Sequence, residues 1–133
     1  MLKKISVRTQ KHTEFVDITR EVQAAIREMG LTEGTATVYV PHTTAGVTIQ
    51  ENADPMVQAD MIHVLGNMVP WKDPAYRHME DNSAAHVKAS MMGFSQTVLV
   101  ENGKIIFGTW QTIYFCEFDG PRSRTVYVKG MAG

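Results

Sequence analysis

The 133 residues fit a single domain spanning 1–133, and 44% hydrophobic with 20% charged side chains is an ordinary globular balance. Thirteen Lys and Arg against fourteen Asp and Glu leave a net charge of −1, which removes the electrostatic case for nucleic acid or an anionic membrane as partner. One cysteine, Cys116, excludes an intrachain disulfide, and no window approaches the roughly 18 uninterrupted apolar residues of a membrane span. With no apolar stretch behind the charged N-terminus to act as a secretory signal, the expectation is a cytoplasmic protein.

Leu2 to Arg8 alternates apolar and polar positions at Ile5 and Val7, a half-buried strand, and a short extended segment follows at Glu14 to Val16. Ile18, Val22, Ala25, Ile26 and Met29 then form an apolar helical stripe, with Asp17 or Thr19 to cap it and Gly30 to end it. Thr35 to Val40 is a β-branched strand closed by Pro41, and Val47 to Gln50 is a further short one. Asp54-Pro55 signals a helix start, with Val57, Met61, Val64, Leu65 and Met68 as its apolar face. An irregular loop covers Pro70 to Tyr76, and a third helix is expected from Ala84 to Met92, stopped by Gly93.

The C-terminal third reads as strands. Thr97 to Val100 and Lys104 to Phe107 flank an Asn102-Gly103 hairpin turn. Thr109 to Phe118 and Thr125 to Lys129 are joined by the polar turn Asp119 to Arg124. About eight strands and three helices without a βαβ rhythm predict an α+β domain, with a mixed or antiparallel sheet and helices on one face.

Polar side chains gather beside glycine and proline in three segments. His42, Thr43 and Thr44 follow a predicted strand, and Glu51, Asn52 and Asp54 lie between a strand and a helix start, where binding groups are commonly displayed. Helix capping by Asp54 and turn hydrogen bonding by His42 are the competing readings. In the second segment, a helix through His78, Asn82 and His86 would align them at i, i+4 and i+8, with Asp81 nearby. Two imidazoles and a carboxylate suit a divalent metal such as zinc, although the spacing is not an H-E-x-x-H motif and Asn82 or Ser83 can equally cap a helix. In the third, Glu117 alternates with apolar Phe118 and would face inward, while Arg122 and Arg124 suit carboxylate or phosphate; a solvated turn is the alternative. His12 and His63 read as structural, and Cys116 as a buried, inert thiol.

Taken together, the runs His42 to Pro55, His78 to His86, Gly108 to Gln111 and Glu117 to Arg122 closely resemble the YjbQ family, also called the secondary thiamine-phosphate synthase family. The resemblance covers nearly the whole chain; Ser123 stands where the family often carries arginine. It implies one large antiparallel sheet, a homotrimer, and a weak ability to join hydroxymethylpyrimidine diphosphate to thiazole phosphate. For such a reaction, His42, His78 and His86 are the candidate metal ligands, and Glu51, Asp81, Glu117 and Arg122 the candidate catalytic residues. Arg122, Arg124, Lys88, Asn52 and Asn82 are the candidate groups for a small phosphorylated or anionic metabolite. No glycine-rich phosphate loop and no D-D-x-x-D pair is present. A non-catalytic trimeric module that holds a metal or small ligand is the second expectation.

Overall fold

The computed structural model describes residues 1–133. Along the chain run β1 (Leu2–Arg8), β2 (Glu14–Asp17), α1 (Thr19–Glu28), β3 (Gly34–Tyr39), β4 (Ala45–Glu51), α2 (Pro55–Met68) and α3 (Ser83–Met92). There follow β5 (Ser95–Glu101), β6 (Lys104–Ile105), β7 (Gln111–Glu117) and β8 (Ser123–Ala132). The fold is α+β, with eight strands and three helices. The strands divide into a five-stranded sheet, ordered β1-β8-β3-β5-β6, and a three-stranded sheet, ordered β2-β7-β4; every pairing is antiparallel.

β7 shows why two sheets form where one was expected. Its run Ile113 to Glu117 is buried on both faces. Ile113 and Phe115 join Val38, Val98, Val126, Val128 and the α1 residues Val22 and Ile26 in a core between the sheets. Tyr114 and Cys116, on the opposite face, pack with Phe15, Phe118, Leu65, Ala85 and Ala89 in a second cluster under α2 and α3. A strand covered on both sides loses its polar alternation, so the small sheet is a middle layer. Each Val, Ile or Phe fully buried contributes about 1.5–3 kcal/mol, and this double burial is the main support of the fold.

Local signals act largely as the residues suggest. Asp17 Oδ1 accepts the Thr19 N–H at 2.9 Å at the start of α1, and Gly30 leaves that helix with φ +67°. Asp54 Oδ1 accepts the Met56 N–H at 2.9 Å, with Pro55 at the head of α2. Asn102 and Gly103 take φ +54° and +74°, as the tight β5–β6 hairpin requires.

Two expectations change. The apolar face of α2 is not a core face, since only Leu65 of that helix is buried while Val64 and Met68 are 50% and 62% exposed. And α3 begins at Ser83, so His78, Glu80 and Asp81 precede the helix, and the His78–Asn82–His86 stripe is not helical throughout. Asp81 has φ +58°, a left-handed conformation that ends any continuous helix through the segment.

The layers bring several strand ends to one place. Ala45, at the start of β4, pairs with Glu117, at the end of β7. Arg8, at the end of β1, pairs with Ser123, at the start of β8. This end of the sandwich holds the polar residues considered next.

Candidate functional site

At that end, Pro41, His42, Thr43, Thr44, Glu80, Asn82, His86, Arg122 and Arg124 line a cleft of about 340 Å³ that contains no apolar side chain. Its floor is a buried ion pair. Glu117 is fully buried and Arg124 is 6% exposed. Arg124 Nε donates to Glu117 Oε1 at 2.8 Å, and Nη2 donates both to Glu117 Oε2 and, at 2.9 Å, to Thr44 Oγ1. Thr9 Oγ1 donates to Glu117 Oε1 at 2.8 Å, and the Asp119 N–H donates to Oε2 at 3.0 Å. Burial alone would raise the Glu117 pKa, but the donors from Arg124, Asp119 and Thr9 outweigh it and hold the carboxyl below its ordinary value. With both oxygens engaged, Glu117 shapes the site and is not a free base.

Arg122 stands over this floor, with its side chain 52% exposed. Its Nε donates to the Asp119 carbonyl at 2.8 Å and its Nη2 to Asp119 Oδ2 at 3.0 Å. The hydrogens of Nη1 remain free. Asp119 Oδ2 also accepts from Asn82 Nδ2 at 2.9 Å. That contact fixes the Asn82 amide, because the flipped amide would set its oxygen against the Asp119 carboxylate. Asn82 Oδ1 is consequently left buried without a partner, and Asn82 makes no side-chain cap on α3. The first N–H groups of α3 therefore stay uncapped at the cleft wall, where a helix start favours negative charge.

His42 is fixed by one contact. Its Nε2 accepts the Thr125 N–H at 2.9 Å, so the lone pair is on Nε2 and the ring proton is on Nδ1. Burial first, and then the Arg124 guanidinium, lower the His42 pKa, which favours this neutral form at neutral pH. A ring so arranged offers an N–H donor and has no free lone pair for a metal. The His78 and His86 rings meet edge to face at 5.3 Å between centroids, and His78 Nε2 lies 3.9 Å from Glu80 Oε2. No group of three or more His, Cys, Asp or Glu side chains is placed to hold a metal ion. The set His42, His78 and His86 therefore does not fit a divalent metal within one chain, and the correction traces to the Thr125 N–H.

The remaining candidates lie elsewhere. β4 separates Glu51 and Asn52 from His42 by a seven-residue strand, about 20 Å of extended chain. There Asn52 Oδ1 accepts from the Tyr114 hydroxyl at 2.7 Å, and its Nδ2 donates to Asp17 at 3.2 Å. Asp81 lines a different cleft, with Trp71, Lys72 and Tyr76. Lys88 opens onto a third pocket with His12, Thr13 and Trp71. Cys116 is fully buried, and burial pushes its thiol pKa far up. Sequence reasoning left Thr9, Glu80 and Asp119 out of the site. Nothing in their spacing marks them, since Thr9 reaches Glu117 across 108 positions of chain.

No helix is long and apolar enough to cross a membrane. The family model described as "UPF0047 protein YjbQ-like" matches residues 3–133. The UPF0047 protein YugU of Bacillus subtilis is 57% identical over 131 residues, which cover 98% of this chain and 99% of that one. A UPF0047 protein of Methanocaldococcus jannaschii is 51% identical, covering 97% of this chain and 93% of its own. The crystal structure of an uncharacterized conserved YjbQ/UPF0047 protein from Clostridium acetobutylicum superposes with TM-score 0.94 at 50% identity, over 97% of this chain and 99% of that one. A hypothetical protein of Aeropyrum pernix superposes with TM-score 0.94 at 32% identity, over 100% and 99% of the two chains. Matched from end to end in sequence and in fold, the chain belongs to the YjbQ/UPF0047 family.

Proposed function

We propose that the cleft binds the phosphate or diphosphate group of a small metabolite and that the chain acts as a weak transferase, joining hydroxymethylpyrimidine diphosphate to thiazole phosphate. The observation that carries this reading is Arg122, held by Asp119 on the wall of a cleft without apolar lining, with Nη1 free. A guanidinium so fixed suits two oxygens of one phosphate. The His42 Nδ1–H and the uncapped start of α3 add donors of the same sign.

In the transfer, the thiazole nitrogen attacks the methylene carbon of the pyrimidine, the C–O bond breaks, and diphosphate leaves with the bonding pair. Negative charge grows on the departing oxygens, where Arg122 and the His42 N–H are placed to receive it. The donor set supports neutralisation of a leaving anion and provides no free carboxylate base at Glu117. Calorimetric titration with inorganic diphosphate, in buffer containing EDTA, tests the reading, with a thiamine phosphate assay run in parallel. Saturable binding that survives chelation, together with slow product formation, is expected. Binding without turnover would favour the non-catalytic module, and no binding would remove the anion site. Binding that disappears with EDTA would restore a metal to the site.

The exposed apolar face of α2 supports the homotrimer. Val57, Met61, Val64, Leu65 and Met92 line a largely apolar groove there, a surface that a monomer seldom leaves open to water. Light scattering is expected to give the mass of three chains, and Val64→Asp to shift it toward one. A parent chain that runs as a monomer at micromolar concentration would end this reading.

A further inference from the structure

A second reactive position lies outside the cleft and is independent of the function proposed for it. Lys88 is 7% exposed. Its neighbours on α3, Ala84, Ala85 and Ala89, are fully buried. No carboxylate pairs with its ammonium: the chain's salt bridges join Lys3, His12, His78, Arg122 and Arg124 to acids and leave Lys88 out. Nor is its nitrogen sealed away, because only Asn82 Oδ1 is both buried from solvent and unpartnered. Lys88 therefore looks into a pocket of about 350 Å³ lined also by His12, Thr13 and Trp71. His12 packs edge-on against Trp71 at 4.4 Å between ring centroids, and its Nε2 lies 3.6 Å from Asp119 Oδ1.

A buried lysine without a counter-ion is driven toward the uncharged amine, because desolvation penalises only the charged form. The shift at Lys88 has that sign and that single cause. An uncharged amine facing an open pocket is a nucleophile. The imidazole at the rim, oriented by a carboxylate, can carry a proton to and fro. The indole supplies a flat apolar wall for a small carbon skeleton.

We propose that Lys88 is a covalent binding site for a small aldehyde. The amine nitrogen adds to the carbonyl carbon, and a proton passes from nitrogen to oxygen with His12 as carrier. The carbinolamine then loses water to leave an imine; no electrons are gained or lost. The arrangement resembles other desolvated catalytic lysines in its physics, with burial in place of a neighbouring cation as the activating force.

The test uses the intact chain at pH 7 with glyoxylate as the probe and cyanoborohydride to trap the imine as a secondary amine, followed by peptide mass mapping. Lys88 is expected to be labelled at least about 10-fold faster than any surface lysine, the ratio that a fall of one pKa unit gives in free amine. The preference is expected to vanish in urea, where all the lysines share one environment. His12→Gln is expected to slow labelling of Lys88 several-fold and to leave the surface lysines unchanged. Native protein in which Lys88 stays unlabelled, or reacts no faster than the surface lysines, overturns the proposal. An unchanged Lys88 rate in His12→Gln overturns the part given to His12.

Discussion

Glu117→Ala is expected to destabilise the domain by about 3–5 kcal/mol, because it leaves the Arg124 guanidinium buried without its counter-charge. Arg124 is 6% exposed and directs both Nε and Nη2 at Glu117. The same substitution strips partners from the Thr9 hydroxyl and the Asp119 N–H, so three elements loosen at once. Replacing both charges, as in Glu117→Leu with Arg124→Met, should recover most of the loss, since a buried pair is worth little more than an apolar pair of similar volume. Urea unfolding of the parent, the single variant and the double variant measures each step. A single variant as stable as the parent would show that the pair does not hold this end of the sandwich. The pair also sets an acid limit. The folded pKa of Glu117 lies below its unfolded value, near 4.5, so its contribution is complete above that pH and is lost as pH falls through the lower, folded pKa. Parent stability should therefore decline more steeply below about pH 4.5 than that of the double variant.

Arg122→Ala should weaken diphosphate binding by about 10- to 150-fold, the equivalent of about 1.5–3 kcal/mol for a charge-assisted hydrogen bond. Removal of the guanidinium also uncovers the Asp119 carboxylate, which then repels the incoming anion and moves the effect toward the upper end. Stability should hardly change. The Arg122–Asp119 pair is half exposed, and exposed pairs contribute about 0–1 kcal/mol. Arg122→Lys keeps the charge but loses the planar fork, so its affinity should fall between the two. Calorimetry for affinity and thermal melting for stability separate the possibilities. An affinity unchanged in Arg122→Ala, or a melting point far below the parent, would make the arginine a structural residue and withdraw the anion site.

Residues that act through their immediate neighbours were legible without coordinates. The Ile5–Val7 alternation, the α1 stripe, the Asp54-Pro55 helix start and the Asn102-Gly103 turn each depend on interactions a few positions apart. The family resemblance was legible for a similar reason, since it follows the order and spacing of residues along the chain. Residues that depend on more distant neighbours were not. Val57, Met61, Val64, Leu65 and Met68 have helical spacing, but spacing cannot say whether a core lies opposite, and here only Leu65 meets one. The run Ile113 to Cys116 showed a buried strand, yet not that its two faces serve two separate clusters.

The site divides along the same line. The sequence by itself determined which polar residues this protein displays beside its glycines and prolines, and that they come in three segments. Tertiary structure alone decided their roles, because a charge or a lone pair is assigned by whatever partner lies within about 3 Å. Arg124 and Glu117 neutralise each other beneath the cleft, whereas Arg122 keeps Nη1 free above it. The Thr125 N–H takes the His42 lone pair from 83 positions away and makes a presumptive metal ligand into a hydrogen-bond donor.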